Sequence, residues 1–326
     1  MNNNFGKRFN IEIYGGSHTE SLGVVIGGVP QGIALCESDF EADLSRRRAG
    51  AKGTTPRREG DVPHIVAGVA NGVTTGEKVE IVFYNENRRS GDYERLKNHP
   101  RPSHADLTAR HKYGEQFDLR GGGIFSGRMT LLLVAAGVVA KKITASAHYS
   151  SRIVEIGGCS DSAQFDAVVA AAQREGDSVG GVIECVVIGA GRDLGEPFFD
   201  SVESVAAHLL FSVPAVKGVE FGSGFEGVRL RGSERNDLIV DCNGSTATNH
   251  EGGINGGITN GNPIVVRVAI KPTPSIAQPQ STYNFATQSV EPLTIGGRHD
   301  ACIVLRAAVV VEAVMAIALA ELKLSL

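Results

Sequence analysis

The sequence has 326 residues, of which 42% are hydrophobic, and a formal net charge of −4. This length allows one large or two ordinary domains, and the apolar fraction excludes an intrinsically disordered chain. The five cysteines form no CxxC pair, which predicts reduced thiols and argues against a disulfide framework or a zinc site.

Hydrophobic patterning predicts strands and helices in an order without regular βαβ repetition. The predicted strands are Val24–Ile26, His64–Val69, Val79–Phe83, Val182–Ile188, Gly218–Phe221 and Pro263–Ile270. The predicted helices are Glu37–Arg48, Arg128–Ala147, Ser162–Glu175, Ser201–Ser212 and Ala301–Lys323. This order favours an α+β fold. Because no linker or low-complexity segment interrupts the chain, one domain over residues 1–326 is expected.

Two apolar segments could be mistaken for membrane spans. Met129–Ala140 is too short to span a bilayer, and Ala301–Leu324 is interrupted by Arg306, Glu312 and Glu321. Both segments instead predict helices buried on all sides. The first residues, MNNNFGKRFN, lack the apolar core of a signal peptide. We therefore expect a cytoplasmic protein without a membrane partner.

Positive charge is concentrated between residues 46 and 128. This block holds sixteen of the 32 Lys and Arg residues, against ten Asp and Glu. Its charge is therefore about +6, and that of the remainder is about −10. Such a block indicates a site for a small, highly charged anion. Nucleic acid is not expected as a partner, because the whole chain is acidic and stacking aromatics do not interleave the basic residues.

A GxGxxG pattern occurs at Gly222, Gly224 and Gly227, after a predicted strand. In a dinucleotide-binding fold this pattern opens a helix whose N-terminus holds the phosphates. The following residues, VRLRGSERN, do not resemble the start of a helix. We therefore interpret the pattern as a turn.

The stretch RPSHADLTARHKYGEQFDLRGGGIFSGR, residues 101–128, has almost no apolar periodicity and predicts a long functional loop. Its titratable side chains include His104, Asp106, His111 and Asp118. Their spacing matches no usual ligand pair, and neighbouring Arg residues would repel a cation, so no metal is expected. Histidines beside Arg suit proton transfer on an anion.

Four stretches in this order resemble the chorismate synthase family. They are YGGSHTESLGVVIGGVPQGI, RPSHADLTARHKYGEQFDLRGGG, TNHEGGINGGITNGNPIVVRVAIKPTPSI and GGRHDACIVLRAAVVVEAVMAIALAE. The flanking segments DLSRRRAG, LGEPFFD and AVKGVEFGSGF resemble the family too, so the resemblance covers nearly the whole chain. It implies a β-α-β sandwich with long buried helices and a homotetrameric assembly.

The resemblance also implies an activity. Members of the family convert 5-enolpyruvylshikimate 3-phosphate to chorismate and phosphate by anti-1,4-elimination, the last common step of the shikimate pathway to aromatic amino acids. The reaction requires reduced FMN without net redox change, and NADPH enters only as a reductant of the flavin in some members. Two polyanions in one pocket agree with the basic block, because Arg grips carboxylates and phosphates bidentately.

The family motifs assign roles to individual residues of this chain. His18 matches the histidine that protonates the departing phosphate, His104 the histidine near the pyrimidine end of the flavin, and Asp300 the aspartate near flavin N5, the acceptor of the substrate's C6 proton. The resemblance also implies a catalytic role for Ser126. The substrate-binding arginines implied are Arg47, Arg101, Arg128 and Arg298. The FMN-binding positions implied are Ile124, Phe125, Ser126, Pro214, Ala215, Gly256, Lys271, Pro272, Thr273, Pro274, Ser275 and Arg298.

The chain departs from the usual family sequence at several motif positions. Ile124 and Phe125 replace the Arg and Ser of GGGRSSARET, and Ser103 replaces the Gly of RPGH. The changes at 124 and 125 bear on FMN affinity and leave two alternatives beside the lyase. One is a non-catalytic flavin- or phosphate-binding paralogue, and the other is a flavoprotein that reduces its own FMN with NADPH. For Lys52, Arg57 and Arg58 the sequence does not decide between ligand contact and a solvated surface.

Overall fold

Two antiparallel sheets enclose a pair of long helices. The computed structural model describes residues 3–50, 54, 60–85, 95–114, 116–296 and 300–326. The strands are β1 Asn4–Phe5, β2 Asn10–Gly15, β3 Ser21–Gly27, β4 His64–Ala67, β5 Val69–Ala70, β6 Val73–Thr74, β7 Val79–Tyr84, β8 His148–Ile156, β9 Gly181–Ile188, β10 Val216–Phe221, β11 Ile254–Asn255, β12 Ile258–Thr259, β13 Ile264–Ile270, β14 Gln280–Asn284 and β15 Ser289–Leu293. The helices are α1 Glu41–Arg47, α2 Asp106–Tyr113, α3 Thr130–Ile143, α4 Phe165–Arg174, α5 Val202–Ser212, α6 Gly224–Gly227, α7 Gly232–Arg235 and α8 Val304–Lys323.

The first sheet has the strand order β1-β2-β3-β7-β4, and the second has the order β10-β13-β9-β8. All pairings in both sheets are antiparallel. Alternate residues of the central strand β13 are buried, beginning with Ile264 and ending with Ile270. This alternation places one face of the second sheet on the core and leaves the other face towards solvent.

Helices α3 and α8 form the middle layer. Helix α3 packs against β3 of the first sheet, and α8 packs against β8 and β9 of the second. Residues 130–140 of α3 and 309–322 of α8 are all buried, because these helices have neighbours on every side. Their backbones approach closely where Gly137 faces Ala313, and a Cβ atom on Gly137 would lie 2.4 Å from the Ala313 Cβ.

Two buried glutamates of α8 are fully engaged. Glu312 accepts two hydrogen bonds from Arg46 of α1, both at 2.7 Å, and one from Ser151 at 2.5 Å. Glu321 accepts hydrogen bonds from the backbone N–H groups of the segment 7–9. A buried carboxylate is tolerated when it is paired and hydrogen-bonded in this way. Among the described residues, no helix is both long and apolar enough to cross a membrane.

The six predicted strands and five predicted helices all correspond to elements of the structure, which has the predicted α+β class. All five helices are shorter than predicted, and α1, α3 and α4 differ most. Helices α1 and α4 are each preceded by a short 3-10 turn, and α3 ends at Ile143 because the chain turns into β8. Strands β2 and β8 were not predicted. The stretch 101–128 is not entirely irregular, since it contains α2.

Candidate active site

A cavity of about 630 Å³ opens where the N-terminal ends of α3 and α8 meet the segments that follow α5 and β13. Its volume is typical of small-molecule sites, which span roughly 300–1,000 Å³. The N-terminal end of a helix carries partial positive charge, because its first N–H groups have no partner within the helix. Two such ends at one cavity favour an anionic ligand.

Charged side chains make the cavity wall basic. Six Lys or Arg residues and two Asp residues line it. Arg47 of α1 and Arg128, just before α3, donate to the two carboxylate oxygens of Asp61 at 3.0 and 2.8 Å. All three side chains are buried. Because two guanidinium groups share one carboxylate, this cluster has an excess of positive charge that a bound anion can neutralise.

A second pair lies beside the first. Arg306, in the first turn of α8, donates to Asp300 Oδ2 at 3.0 Å and to the backbone carbonyl of Arg47 at 2.9 Å. Burial lowers the pKa of Arg47, the attraction of Asp61 raises it in part, and the charges of Arg306 and Arg128 lower it further. Three arginines thus share two carboxylates at this wall, and their net positive charge favours a bound anion.

Asp106, the first residue of α2, is buried and joins Arg101 to His104. Its carboxylate accepts from the backbone N, Nε and Nη2 of Arg101 at 3.0, 2.7 and 2.7 Å. His104 Nδ1 lies 2.7 Å from Asp106 Oδ1. Burial would raise the pKa of Asp106, but the hydrogen bonds from Arg101 and His104 outweigh it and hold the pKa below its ordinary value. Arg101 Nη1 also donates to Ser275 Oγ at 3.1 Å, across the cavity wall.

The glycine triplet 121–123 contacts both predicted catalytic histidines. Its φ angles are 62°, 86° and 54°, a region that glycine adopts without strain. A Cβ atom on Gly121 would lie 2.1 Å from His18 Nδ1, and one on Gly122 would lie 3.8 Å from His104 Cε1. A side chain at position 121 would therefore displace His18, which explains the requirement for glycine there.

His18 itself is buried in the loop between β2 and β3 and is not among the residues that line the cavity. Its neighbour Ser17 does line it, and the Ser17 N–H donates to the Gly123 carbonyl at 3.2 Å. The charge of His18 also helps to lower the pKa of Asp118, although the hydrogen bond from Arg120 is the larger cause. His18 thus lies next to Ser17 in the chain and against Gly121, both of which line the cavity.

Three non-glycine residues of the cavity wall have left-handed backbone conformations, and one of them is Asp61, with φ 49°. Ser103 has φ 57° and Ala215 has φ 74°. Lys271 stabilises both segments, because its Nζ donates to the Ser103 carbonyl at 2.7 Å and its backbone N–H to the Ala215 carbonyl at 3.0 Å. Such strained residues are concentrated at ligand sites, where the surrounding structure holds them in place.

Nine of the predicted FMN positions line the same cavity. They are Ile124, Phe125, Ser126, Pro214, Ala215, Lys271, Thr273, Pro274 and Ser275. Pro272 belongs to the same segment, whereas Gly256 lies on the exposed turn between β11 and β12, away from the cavity wall. Arg298, Lys52, Arg57 and Arg58 lie outside the described residues. The roles of all these positions stay predictions.

Two buried polar atoms of the cavity wall have no hydrogen-bond partner among the described residues. They are Arg128 Nη2 and Thr273 Oγ1. Leaving such a group unsatisfied costs about 1–3 kcal/mol, so a ligand that bonds to them gains that energy. A charged donor suits a phosphate or carboxylate, and a hydroxyl can donate or accept. The wall therefore fits an anionic ligand that carries phosphate or carboxylate groups.

Similarity to known proteins identifies the family. The chorismate synthase family model matches residues 9–324. A chorismate synthase of Chitinophaga pinensis is 55% identical over 324 residues, which cover 99% of this chain and 96% of that protein. The chain belongs to the chorismate synthase family. A chorismate synthase of Dehalococcoides mccartyi is 44% identical, over 99% of this chain and 97% of that protein.

A crystal structure of a chorismate synthase has the same fold. It matches with a TM-score of 0.76 and 27% sequence identity, over 98% of this chain and 93% of that one. The predicted sandwich of the chorismate synthase type is therefore confirmed. Chorismate synthases are carbon–oxygen lyases, so the chain is an enzyme of this class, and the alternative of a non-catalytic paralogue is not favoured.

The departure from the usual family loop at Phe125 has a visible consequence. Its ring centroid lies 6.4 Å from that of Tyr113 and 6.2 Å from that of Phe117. Tyr113 and Phe117 stack on each other at 4.8 Å. This aromatic cluster ties the end of α2 to the loop before α3, and Phe125 presents an apolar surface to the cavity beside Ile124.

Four cavity or supporting residues were missed from the sequence: Asp61, Asp106, Lys217 and Arg306. Lys217 of β10 also lines the cavity, and after burial it is the second cause that lowers the pKa of Lys271. Sequence could have revealed Asp106, which follows His104 by two residues, but it was considered only as a metal ligand. Lys217 follows the predicted position Ala215 by two residues, whereas Asp61 joins the site through its contacts with Arg47 and Arg128, which no local pattern indicates.

Proposed function

We propose that this enzyme catalyses the anti-1,4-elimination of phosphate from 5-enolpyruvylshikimate 3-phosphate, which yields chorismate. Family membership supports the reaction. The observation that carries it to this chain is the basic cavity, in which a buried arginine cluster with an unpartnered donor lies beside two histidine-bearing loops. Reduced FMN, when bound, supplies the electron-rich ring on which the elimination depends.

Arginines of the wall bind the anionic groups of the substrate. Arg47 and Arg128 hold Asp61 between them, Arg128 Nη2 has no partner among the described residues, and Arg101 is fixed in orientation by Asp106. Arg298 joins them by family resemblance. A phosphate and two carboxylates require this number of cationic partners, since each Arg–anion contact is strongest when charge-assisted and bidentate.

Proton transfer is the task of His18, His104 and Asp300. His18 protonates the leaving phosphate, and His104 sets the proton at the pyrimidine end of the flavin site. The Asp300 carboxylate lies on the cavity wall beside Arg306, and by family resemblance it receives the C6 proton of the substrate. Ser126 stands at the same wall, and its Oγ accepts from the Arg128 N–H at 3.3 Å.

The flavin site comprises the loop of Ile124 and Phe125, the strained turn at Pro214 and Ala215, and the segment 271–275. The apolar residues suit the ring, and the unpartnered Thr273 hydroxyl suits a polar group of the cofactor. NADPH serves only as a reductant of the flavin. We further propose a cytoplasmic homotetramer of one-domain chains. The core cluster that joins both sheets supports the single domain.

Turnover with photoreduced FMN in the absence of oxygen tests the proposal. Chorismate is expected to form with reduced FMN, not with oxidised FMN, and without stoichiometric consumption of reductant. Consumption of one NADPH for each chorismate would show a net redox reaction instead. If reduced FMN were shown to bind and no chorismate formed, the result would support the non-catalytic paralogue.

Histidine variants test the proton-transfer roles. His18→Ala and His104→Ala should each lower kcat by about 10²–10⁴-fold, the usual contribution of general acid–base catalysis, while FMN still binds. His111 provides the matched control in the same stretch, because it is exposed on α2 and does not line the cavity. Equal losses for His104→Ala and His111→Ala in folded protein would contradict the assignment.

A further inference from the structure

The Asp106 carboxylate has an arrangement that the proposed mechanism does not use. It is only 4% exposed and does not line the cavity. Three of its contacts are hydrogen bonds from Arg101, and the fourth is the 2.7 Å contact with His104 Nδ1. All four contacts are to residues that precede α2. Among the described hydrogen bonds, none joins this carboxylate to an amide of α2, so it does not act as a cap of that helix.

The contact with His104 determines where the imidazole carries its proton. Asp106 Oδ1 is an acceptor only, so the 2.7 Å contact requires a proton on Nδ1 of His104. In neutral imidazole the lone pair then lies on Nε2, the atom that faces the glycine triplet near Gly122. The proton-accepting atom of His104 is therefore directed away from Asp106 and towards the site.

The contacts with Arg101 orient its guanidinium at the same time. Nε and Nη2 of Arg101 donate to the two oxygens of Asp106. Nη1, on the other edge of the guanidinium, donates to Ser275 Oγ. Arg101 Nη2 also lies 3.1 Å from His104 Nδ1, but both atoms are donors in the Nδ1–H form, and both bind Asp106 Oδ1 at the shorter distance of 2.7 Å. One carboxylate thus fixes both the arginine proposed to bind substrate and the histidine proposed to transfer a proton.

We propose that Asp106 is a positioning residue that holds His104 in the Nδ1–H tautomer and Arg101 in its binding orientation, and so couples anion binding to proton transfer. The proposal rests on the proposed function for the roles of His104 and Arg101. The fixing of the tautomer does not depend on those roles, which allows the two to be tested separately.

Substitution of Asp106 by Asn tests the coupling. The amide keeps the size of the side chain but replaces one acceptor oxygen with a donor, so it cannot accept the bonds of both partners. Loss of this support should lower kcat by roughly 10–100-fold, the usual effect of losing a group that orients a histidine, and should also raise KM. In a His104→Ala background, Asp106→Asn should change kcat by less than about twofold while KM still rises.

The matched control is Asp166→Asn, which changes an exposed aspartate in the first turn of α4, outside the cavity. It should leave kcat and KM unchanged. The proposal would be overturned if Asp106→Asn lowered kcat by the same factor in the wild-type enzyme and in His104→Ala. Asp106 would then not act through His104.

The ¹⁵N chemical shifts of the imidazole give a direct reading in the wild-type enzyme, with the His104 signals assigned by their absence from His104→Ala. The Nδ1–H form is expected, and its loss in Asp106→Asn. An Nε2–H form in the wild type would overturn the proposal even if Asp106→Asn failed to fold. Full turnover of His104→Ala together with the Nδ1–H form would instead refute the proposed role of His104 and leave the positioning intact.

Discussion

Arg128 is a buried, charged residue with one hydrogen-bond donor that has no partner among the described residues. Its Nη1 binds Asp61 and its Nε donates to Asn85 at 2.6 Å, while Nη2 has no partner among the described residues. Two donors are therefore used to hold the side chain rigid, and the third is left for a ligand. A rigid charged donor binds an anion with little loss of side-chain entropy.

Arg128→Ala should consequently reduce kcat/KM by about 2–4 kcal/mol, roughly 30- to 1,000-fold, mostly through KM. Steady-state kinetics with reduced FMN in excess measures this change. Arg229→Ala is the control, because Arg229 is exposed and pairs only with the neighbouring Glu226. If kcat/KM of Arg128→Ala equalled that of Arg229→Ala, Nη2 would not face the substrate.

Ser103 shows how a single motif position stores strain. The usual family residue there is glycine, and the serine adopts φ 57°, a conformation that costs a residue with a Cβ atom about 1–2 kcal/mol. No hydrogen bond of its hydroxyl within the described residues offsets that cost. The strain is sustained by the surrounding contacts, including the bond from Lys271 to its carbonyl.

Ser103→Gly is therefore expected to stabilise the protein by about 0.5–1 kcal/mol, because the relief of strain exceeds the added entropy of the unfolded chain. The free energy of unfolding in urea measures the change. The matched variant Ser150→Gly, in the middle of β8, should be destabilising by about 0.5–1 kcal/mol. Destabilisation by both variants would show that Ser103 is not strained.

At the level of elements, the crossing of α3 and α8 sets the position of both helix ends at the cavity. The two helices run between the sheets, and the contact of Gly137 with Ala313 brings their axes close together. Close packing at a crossing leaves no room for an added methyl group. The separation of Arg128 from Arg306, each at the start of its helix, depends on this contact.

Gly137→Ala should destabilise the protein by about 1–3 kcal/mol, although glycine-to-alanine changes inside helices are ordinarily favourable. Thermal and urea denaturation test this. Gly232, the first residue of α7, is a suitable control since a Cβ atom there would meet nothing within 4 Å. A gain in stability from Gly137→Ala would mean that the helices can separate without cost.

Comparison of these elements with the sequence shows what local patterns can predict. Apolar periodicity located α3, α8 and the central strands, because burial on one or all sides leaves a regular signature. It missed α2, whose residues DLTARHKY are mostly polar. It also missed β8, because Tyr149 is the one apolar residue among the first five of HYSSRIVEI and the strand lies at the edge of its sheet.

The residues of the site were predicted from motifs and not from apolar patterns. Family motifs identified the loops of His18, His104 and Asp300, because they carry chemistry in short strings of sequence. They did not identify Asp61, which joins the cavity through its contacts with Arg47 and Arg128. Contacts between distant segments have no signature within either segment, so residues of that kind require the folded structure.

At the level of the whole molecule, α8 connects the cavity to both ends of the chain. Its first turn carries Arg306 at the cavity, and its last turns carry Glu321, which accepts hydrogen bonds from the N–H groups of Lys7, Arg8 and Phe9 at 2.8, 2.9 and 2.6 Å. Phe9 is fully buried just before β2. The carboxylate therefore secures the first sheet to a helix that also packs on the second.

Glu321→Ala should destabilise the enzyme by about 3 kcal/mol or more, because three amides lose a charged acceptor, and each such bond contributes about 1.5–3 kcal/mol without full additivity. Glu321→Gln, which keeps one carbonyl acceptor, should lose less. Urea denaturation measures both, and amide exchange should report faster opening of residues 7–15 in Glu321→Ala than in the exposed control Glu77→Ala. If Glu321→Ala and Glu77→Ala matched in stability and exchange, the connection would not contribute to folding, and β2 would be held in place by its pairing with β1 and β3.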